Sequence, residues 1–441
     1  MKCECAICKD NKPITIPEAI LDAAKAEKLV LFCGAGISTE NKNVLPLTFC
    51  ESIQEDLGME NSDDSFCEIM QQFCDLPNGR RKLIKKIKTR FEYIHSFPEI
   101  EFWATRFHKE LEELYFIKTI ITTNWDTYFE DYSLAIPITI PEDFVLWDDK
   151  ERCVLKIHGS INNLSTLIAT KNDYEKCKEN LEKGIIGASL RTIFATKTVV
   201  FFGFSFGDED FNQILDYLNT EMRGLLPHIY IVTLDNQLSD KLKNSNYSCI
   251  ITDGTYFLHQ LKLILRKEGL IVNDQAKTWV DMMNDAVKIK HNEVSLLRCH
   301  DSPQVIYCLS YQDGILHAFS RFFQLYNKGD YNMPGYIESL VRGYNNKIKI
   351  LKKKGNYWDV SYYEGYLNGL IYISSCSGEL SIHIDFPQYY LPNAQKQMSS
   401  YEEFLSELKR VSKIKNKYQK YAESMTSEYS DSKCVIHHPP H

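Results

Sequence analysis

The sequence predicts an α/β chain: a doubly wound parallel sheet with a helical insertion, followed by a mainly helical C-terminal region. Three observations carry that expectation. Five short apolar runs, Leu29–Cys33, Thr119–Thr122, Val154–Ile157, Val199–Phe202 and Ile229–Val232, lack the alternation of a strand with one wet face. Continuous runs of this length suit strands buried on both faces of a parallel sheet. Segments of helical period lie between them, at Glu99–Phe116, Asp208–Glu221 and Thr255–Glu268, and strands alternating with helices build a doubly wound sheet. Beyond about Val272 the strand signals thin out, and helical spacings such as Tyr401, Phe404, Leu405, Leu408 and Val411 replace them.

In chain order, residues 1–16 read as an N-terminal tail. Pro17–Lys28 reads as a helix with proline in its first turn and Ile20, Ala23 and Ala24 on one side. The first strand then runs into Gly34. Residues 45–94, rich in helix formers, Phe and Lys, read as a helical insertion after that strand. The remaining runs complete one domain over 17–270, and 271–441 reads as a helical oligomerisation or regulatory domain. A chain of 441 residues exceeds what one small core accounts for.

Composition excludes several classes. With 51 Lys+Arg against 59 Asp+Glu the net charge is −8, which argues against a surface coated with basic charge for nucleic acid. No apolar run approaches the ~20 residues of a membrane-spanning helix. The N-terminus lacks the apolar core of a secretion signal, so a cytoplasmic protein is expected, its 14 cysteines reduced. Cys3, Cys5 and Cys8 form the one tight cluster. Three thiols without a nearby fourth ligand fall short of a closed tetrahedral zinc site, and no metal is expected.

Four segments carry the chemistry, each just beyond an apolar run. Gly34-Ala35-Gly36-Ile37-Ser38 lets the backbone approach a phosphate closely, although Gly-Ala-Gly also makes plain turns. Thr122-Thr123-Asn124-Trp125-Asp126, Lys156-Ile157-His158-Gly159-Ser160 and Gly203-Phe204-Ser205-Phe206-Gly207-Asp208 follow the later runs. Open α/β sheets bind ligands outside the carboxyl ends of their strands, where all four segments fall. Plainer roles stand beside these. Asp126 and Asp208 suit helix N-caps, His158 suits a core histidine, and Trp125 suits a packing wall. Asp173-Tyr174 carries no chemistry that the residues alone assign.

The ordered set resembles the sirtuin-like family, specifically its bacterial branch of NAD-consuming domains in anti-phage defence, over roughly Leu29 to Glu268. The resemblance implies a Rossmann-like domain that takes NAD as substrate. It implies that Gly34, Ala35, Gly36 and Ser38 hold the diphosphate, that Asn124 and Asp126, with Thr123 beside them, meet the nicotinamide and its ribose, and that His158 acts on the ribose hydroxyls or orients water. Gly203 and Ser205 would line the adenosine side. Such a site needs positioning, ribose contacts that stabilise an oxocarbenium-like transition state, and a nearby base.

The chain departs from protein-deacylating sirtuins in two places. Only Cys177 lies between His158 and Gly203, where those enzymes usually carry two Cys-x-x-Cys pairs, and Val44-Leu45-Pro46-Leu47-Thr48 stands in place of their Pro-Asp-Phe-Arg segment. The expectation is therefore an NAD glycohydrolase that depletes NAD when triggered. An NAD-dependent deacylase or ADP-ribosyltransferase, and a non-catalytic NAD or ADP-ribose sensor, are the alternatives. The resemblance also implies a homo-oligomer, with a hexameric HerA-family ATPase partner or a phage-derived trigger. Lys352, Lys353 and Lys354, close to Tyr357, Trp358, Tyr362, Tyr363 and Tyr366, can be read as a nucleic-acid patch, but a solvated lysine face beside an aromatic core is preferred.

Overall fold

The apolar runs pair in register into a single all-parallel sheet. Its strands are β1 (Leu29–Cys33), β2 (Thr119–Thr122), β3 (Ile136–Ile138), β4 (Cys153–Lys156), β5 (Thr198–Phe202), β6 (Ile229–Thr233) and β7 (Tyr247–Ile251). The spatial order is β3-β4-β2-β1-β5-β6-β7. This computed structural model describes residues 5–9, 11–41, 43–59, 64–148, 151–204, 220, 228–236, 247–268, 270–271, 274–326, 331, 335–376, 386–427 and 437–440. The expected helix Asp208–Glu221 lies almost wholly outside them, as does Ser205.

Strand order explains where a site can form. From β1 the chain moves to one side through β2 to the β3–β4 edge, then returns to the other side of β1 with β5. The reversal leaves a crevice beyond the carboxyl ends of β1 and β5, the place where doubly wound sheets bind ligands. Two strands escape sequence reading. β3 is an edge strand of three residues with Pro137 at its centre, and proline is confined to such edges. β7 is the opposite edge, and its partly exposed residues form no buried run.

Both faces of the sheet are covered, as the apolar runs require. Phe32 of β1 stacks on Phe201 of β5 at 4.6 Å between ring centres, with Phe194 and Phe204 against the same pair. On the other face Phe202 meets Phe107 at 5.3 Å and Phe257 at 5.4 Å. Among the described residues the helices of this part are α1 (Ala6–Lys9), α2 (Glu18–Lys25), α3 (Phe49–Leu57), α4 (Phe66–Asp75), α5 (Gly79–Ser96), α6 (Pro98–Glu112), α7 (Tyr128–Ser133), α8 (Lys171–Lys183), α9 (Ile185–Thr196) and α10 (Gly254–Lys267). The expected insertion is α3–α5. Reciprocal capping boxes start its first two helices: Thr48 with Glu51, and Ser65 with Glu68. Trp125 packs into the insertion's core beside Phe49 and Phe66, a wall rather than a reagent.

The chain divides into two compact units, Met1–Ile264 and Leu265–His441. The second contains α11 (Asp274–Ser295), α12 (Val305–Leu325), α13 (Tyr336–Lys354), α14 (Tyr357–Cys376), α15 (Tyr401–Val411) and α16 (Lys417–Thr426). Its centre is the α12–α14 pair. A Cβ on Gly365 would fall 1.8 Å from the Tyr311 carbonyl oxygen, and one on Gly314 would fall 2.1 Å from that of Tyr362. The two glycines let the helix backbones touch. Tyr362, Tyr363 and Tyr366 are buried in this core, so they offer no open ring face to a nucleic-acid base. Lys352 is paired with Glu364 at 2.8 Å.

Candidate active site

The turns after β1 and β5 interlock at the crevice. The Gly34 N–H donates to the Phe202 carbonyl at 2.8 Å, and the Gly36 N–H donates to that of Gly203 at 3.1 Å. Gly203 has φ +73°, and a Cβ there would lie 2.7 Å from both the Gly34 oxygen and the Ile37 nitrogen. A Cβ on Gly36 would lie 2.7 Å from the Gly203 oxygen. These glycines let backbone pack on backbone, a demand that a phosphate does not explain. The Ile37 and Ser38 N–H groups also donate within the turn, to Gly34 and Ala35. The turn forms a short 3₁₀ segment, Ala35–Ile37, that brings Ser38 inward.

From Ser38 a polar network reaches the loop after β2. The Ser38 hydroxyl donates to Asp126 Oδ2 at 3.1 Å and accepts from Asn124 Nδ2 at 3.2 Å. All three side chains are buried. Because a carboxylate only accepts, Asp126 fixes the direction of the hydroxyl, and the hydroxyl fixes the Asn124 amide. Asn124 Oδ1 is left buried without a hydrogen-bond partner among the described residues. An orphaned acceptor of that kind is costly unless a ligand supplies the donor. The backbone holds the loop on β1: Thr122 Oγ1 and the Thr123 N–H both donate to the Cys33 carbonyl, and the Asn124 N–H donates back to Thr122 Oγ1.

Asp126 is committed inward. Oδ1 accepts from the N–H of Tyr128, the first residue of α7, at 3.2 Å, while Oδ2 takes Ser38; the helix starts one residue later than expected, with Thr127 at its N-cap. Burial raises its carboxyl above the ordinary range, and the Lys156 ammonium opposes that rise. Lys156 is a residue that sequence reading assigned no role. It ends β4 wholly buried, donates to the Asp126 carbonyl and pairs with Glu130 at 2.9 Å. A lysine closing an otherwise apolar run was the available signal. Cys33, at the end of β1, has its thiol pushed well above its usual pKa by burial and by Asp126, so it is no thiolate.

His158 follows β4, next to β2. The Ile157 N–H donates to the Thr122 carbonyl and the Ile161 N–H to that of Trp125, which ties the His158 loop to the Asn124 loop. Its ring meets Tyr174 edge-on at 5.1 Å, and burial depresses the imidazole from 6.5 to about 4. The ring is therefore uncharged at neutral pH. Asp173 also has a place: it caps α8 with Thr170 and pairs with Arg80 at 2.7 Å, joining the insertion to this loop.

Residues 118–251 match the SIR2-like domain family, and that span holds Thr123, Asn124, Asp126, His158 and Gly203. Over that span the chain is similar to the SIR2-like domain. It is 26% identical over 225 residues to "NAD(+) hydrolase ThsA" of Bacillus cereus (strain MSX-D12), covering 49% of this chain and 45% of that protein. It is 28% identical over 218 residues to "NAD(+) hydrolase ThsA" of Cytobacillus dafuensis, covering 48% and 42%. Similarity to "Defense-associated sirtuin 2" of Bacillus subtilis is 24% over 222 residues, covering 47% and 21%. The matched regions span about half or less of these relatives. The glycine turn after β1 precedes the matched span, and the hydrogen bonds to Phe202 and Gly203 attach it to the site. The interval from His158 to Gly203 holds only Cys177, whose thiol is buried against the Ile157 carbonyl, so no zinc module lies there.

Among the described residues no helix is long and apolar enough to cross a membrane.

Proposed function

We propose that the chain is an NAD glycohydrolase, cleaving NAD with water to nicotinamide and ADP-ribose. The observation that carries this reading is the Ser38–Asp126–Asn124 network, which leaves one buried acceptor, Asn124 Oδ1, at the carboxyl ends of β1 and β2. A ribose hydroxyl or the nicotinamide amide would supply its missing donor. Asp126, with both oxygens committed, is a positioning residue that acts through Ser38. Gly34, Ala35, Gly36 and Gly203 shape the crevice floor for the diphosphate, and Ser205 would extend its adenosine side.

The charge state of the site suits the reaction. The nicotinamide ribosyl bond breaks with positive charge passing to the ribose, and water then supplies the new oxygen while losing a proton. An uncharged His158 adds no cation beside that developing charge and has a lone pair for the proton. The relatives' printed names, two of them NAD(+) hydrolases, support the same reaction class. We further propose that the activity serves anti-phage defence by depleting NAD, that the chain works as a cytoplasmic homo-oligomer, and that a HerA-family ATPase or a phage-derived trigger releases it. Replacing Asn124 or His158 with Ala should lower NAD turnover by about 10²-fold or more at equal folding, the usual loss for a positioned hydrogen-bond or proton-transfer group. Unchanged turnover in both variants would remove these residues from the mechanism.

A further inference from the structure

We propose that Cys5, Cys8 and His259 form a zinc site that fastens the N-terminal segment to α10. The two cysteines have the Cys-x-x-Cys spacing of thiolate ligand pairs, at and just before α1. His259, 254 positions from Cys5, brings its Nε2 to 3.4 Å from the Cys5 sulfur. The three ligand atoms all lie within 4.8 Å of one another. Zinc bonds of ~2.3 Å to sulfur and ~2.0 Å to nitrogen at tetrahedral angles separate S from N by about 3.5 Å and S from S by about 3.8 Å. The observed spacing is therefore close to that of a loaded site.

The surroundings complete the argument. His259 Nδ1 sits 3.1 Å from Glu110 Oε2, so the ring donates there and turns the Nε2 lone pair toward the thiols. Metal-binding histidines are held by a carboxylate in this way. Glu110 is itself fixed by Lys262 at 2.7 Å. The Gln260 amide donates to the Cys8 sulfur at 3.4 Å. Two thiolates with one imidazole select zinc among the common divalent ions. Among the described residues, Cys5, Cys8 and His259 are the ligands that meet there. The thiols alone are a weak zinc signal, because the histidine that joins them arrives only with the fold.

The test uses the full chain, purified under reducing conditions without chelator. Elemental analysis should find about one zinc per chain, and the Cys5→Ser/Cys8→Ser variant about a tenth of that or less. Titration of metal-stripped wild-type protein with cobalt(II) should produce the thiolate-to-cobalt charge-transfer absorption. Glu110→Gln should weaken zinc binding about 10- to 100-fold in competition with a chromophoric chelator. Wild-type protein that carries no zinc and gives no thiolate–cobalt absorption would overturn the proposal. So would a Cys5–Cys8 disulfide in the protein as purified, seen as a 2 Da mass deficit. The cobalt titration needs no variant to fold, and none of these readings depends on NAD cleavage.

Discussion

Ser38→Ala removes the one hydroxyl that joins Asn124 to Asp126. The structure sets the magnitude. The mutation deletes a hydrogen bond to a buried carboxylate at 3.1 Å and one from a buried amide at 3.2 Å. A hydrogen bond to a charged group contributes about 1.5–3 kcal/mol and a neutral one about 0.5–1.5 kcal/mol, so the expected loss is about 3 kcal/mol. No water-sized replacement enters cheaply, because Ser38 is fully buried. Urea unfolding of the full chain, followed by a probe that reports the sheet unit, measures this cost. NAD turnover should fall as well, since the Asn124 amide loses the partner that orients it. Adding Asn124→Ala to Ser38→Ala should then cost less turnover than Asn124→Ala does alone. A stability loss below about 0.5 kcal/mol, or full additivity of the two substitutions in turnover, would refute the network as the device that orients Asn124.

Three further outcomes are expected. Gly203→Ala places a Cβ 2.7 Å from two backbone atoms at φ +73° and should cost on the order of 3 kcal/mol by denaturant unfolding; a neutral result would mean the two turns part easily. His158, depressed from 6.5 to about 4, binds fewer protons folded than unfolded between those values, so stability falls as pH drops through that window. Between pH 7 and pH 5 its share of the loss is about 2 kcal/mol, and His158→Gln should flatten the pH dependence of stability by that amount. Buried His108, depressed to about 3, acts in the same direction and remains in the variant, so the difference isolates His158. Gly365→Ala, with its Cβ 1.8 Å from the Tyr311 oxygen, should separate α12 from α14 and lower the thermal midpoint of the helical unit; an unchanged midpoint would contradict the described helix contact.

Much of the sheet was legible because its central strands are buried on both faces and therefore read as unbroken apolar runs. The edges were not. β3 carries a proline and β7 is half exposed, so neither has the composition that signals a strand. The site shows the same division. Asn124, His158 and the glycines stand at strand ends, where a ligand crevice is expected. That Asp126 faces Ser38 across 88 positions, and that Lys156 is buried beneath the loop, depends on tertiary packing. The glycines at the strand ends signal close backbone approach, but that the approach includes a contact between two turns emerges only with the fold. Cys5 and Cys8 lack a further ligand nearby in the sequence, and His259 comes to them only through the fold.

The most direct measurement is chromatography of NAD incubated with the full chain, as purified protein and in lysates of phage-infected cells expressing it, with and without an acylated peptide. NAD hydrolysis predicts nicotinamide and ADP-ribose in equal amounts, independent of the peptide and lowered about 10²-fold or more by Asn124→Ala. Intact NAD under both conditions, or acyl-ADP-ribose formed only with the peptide, would contradict it.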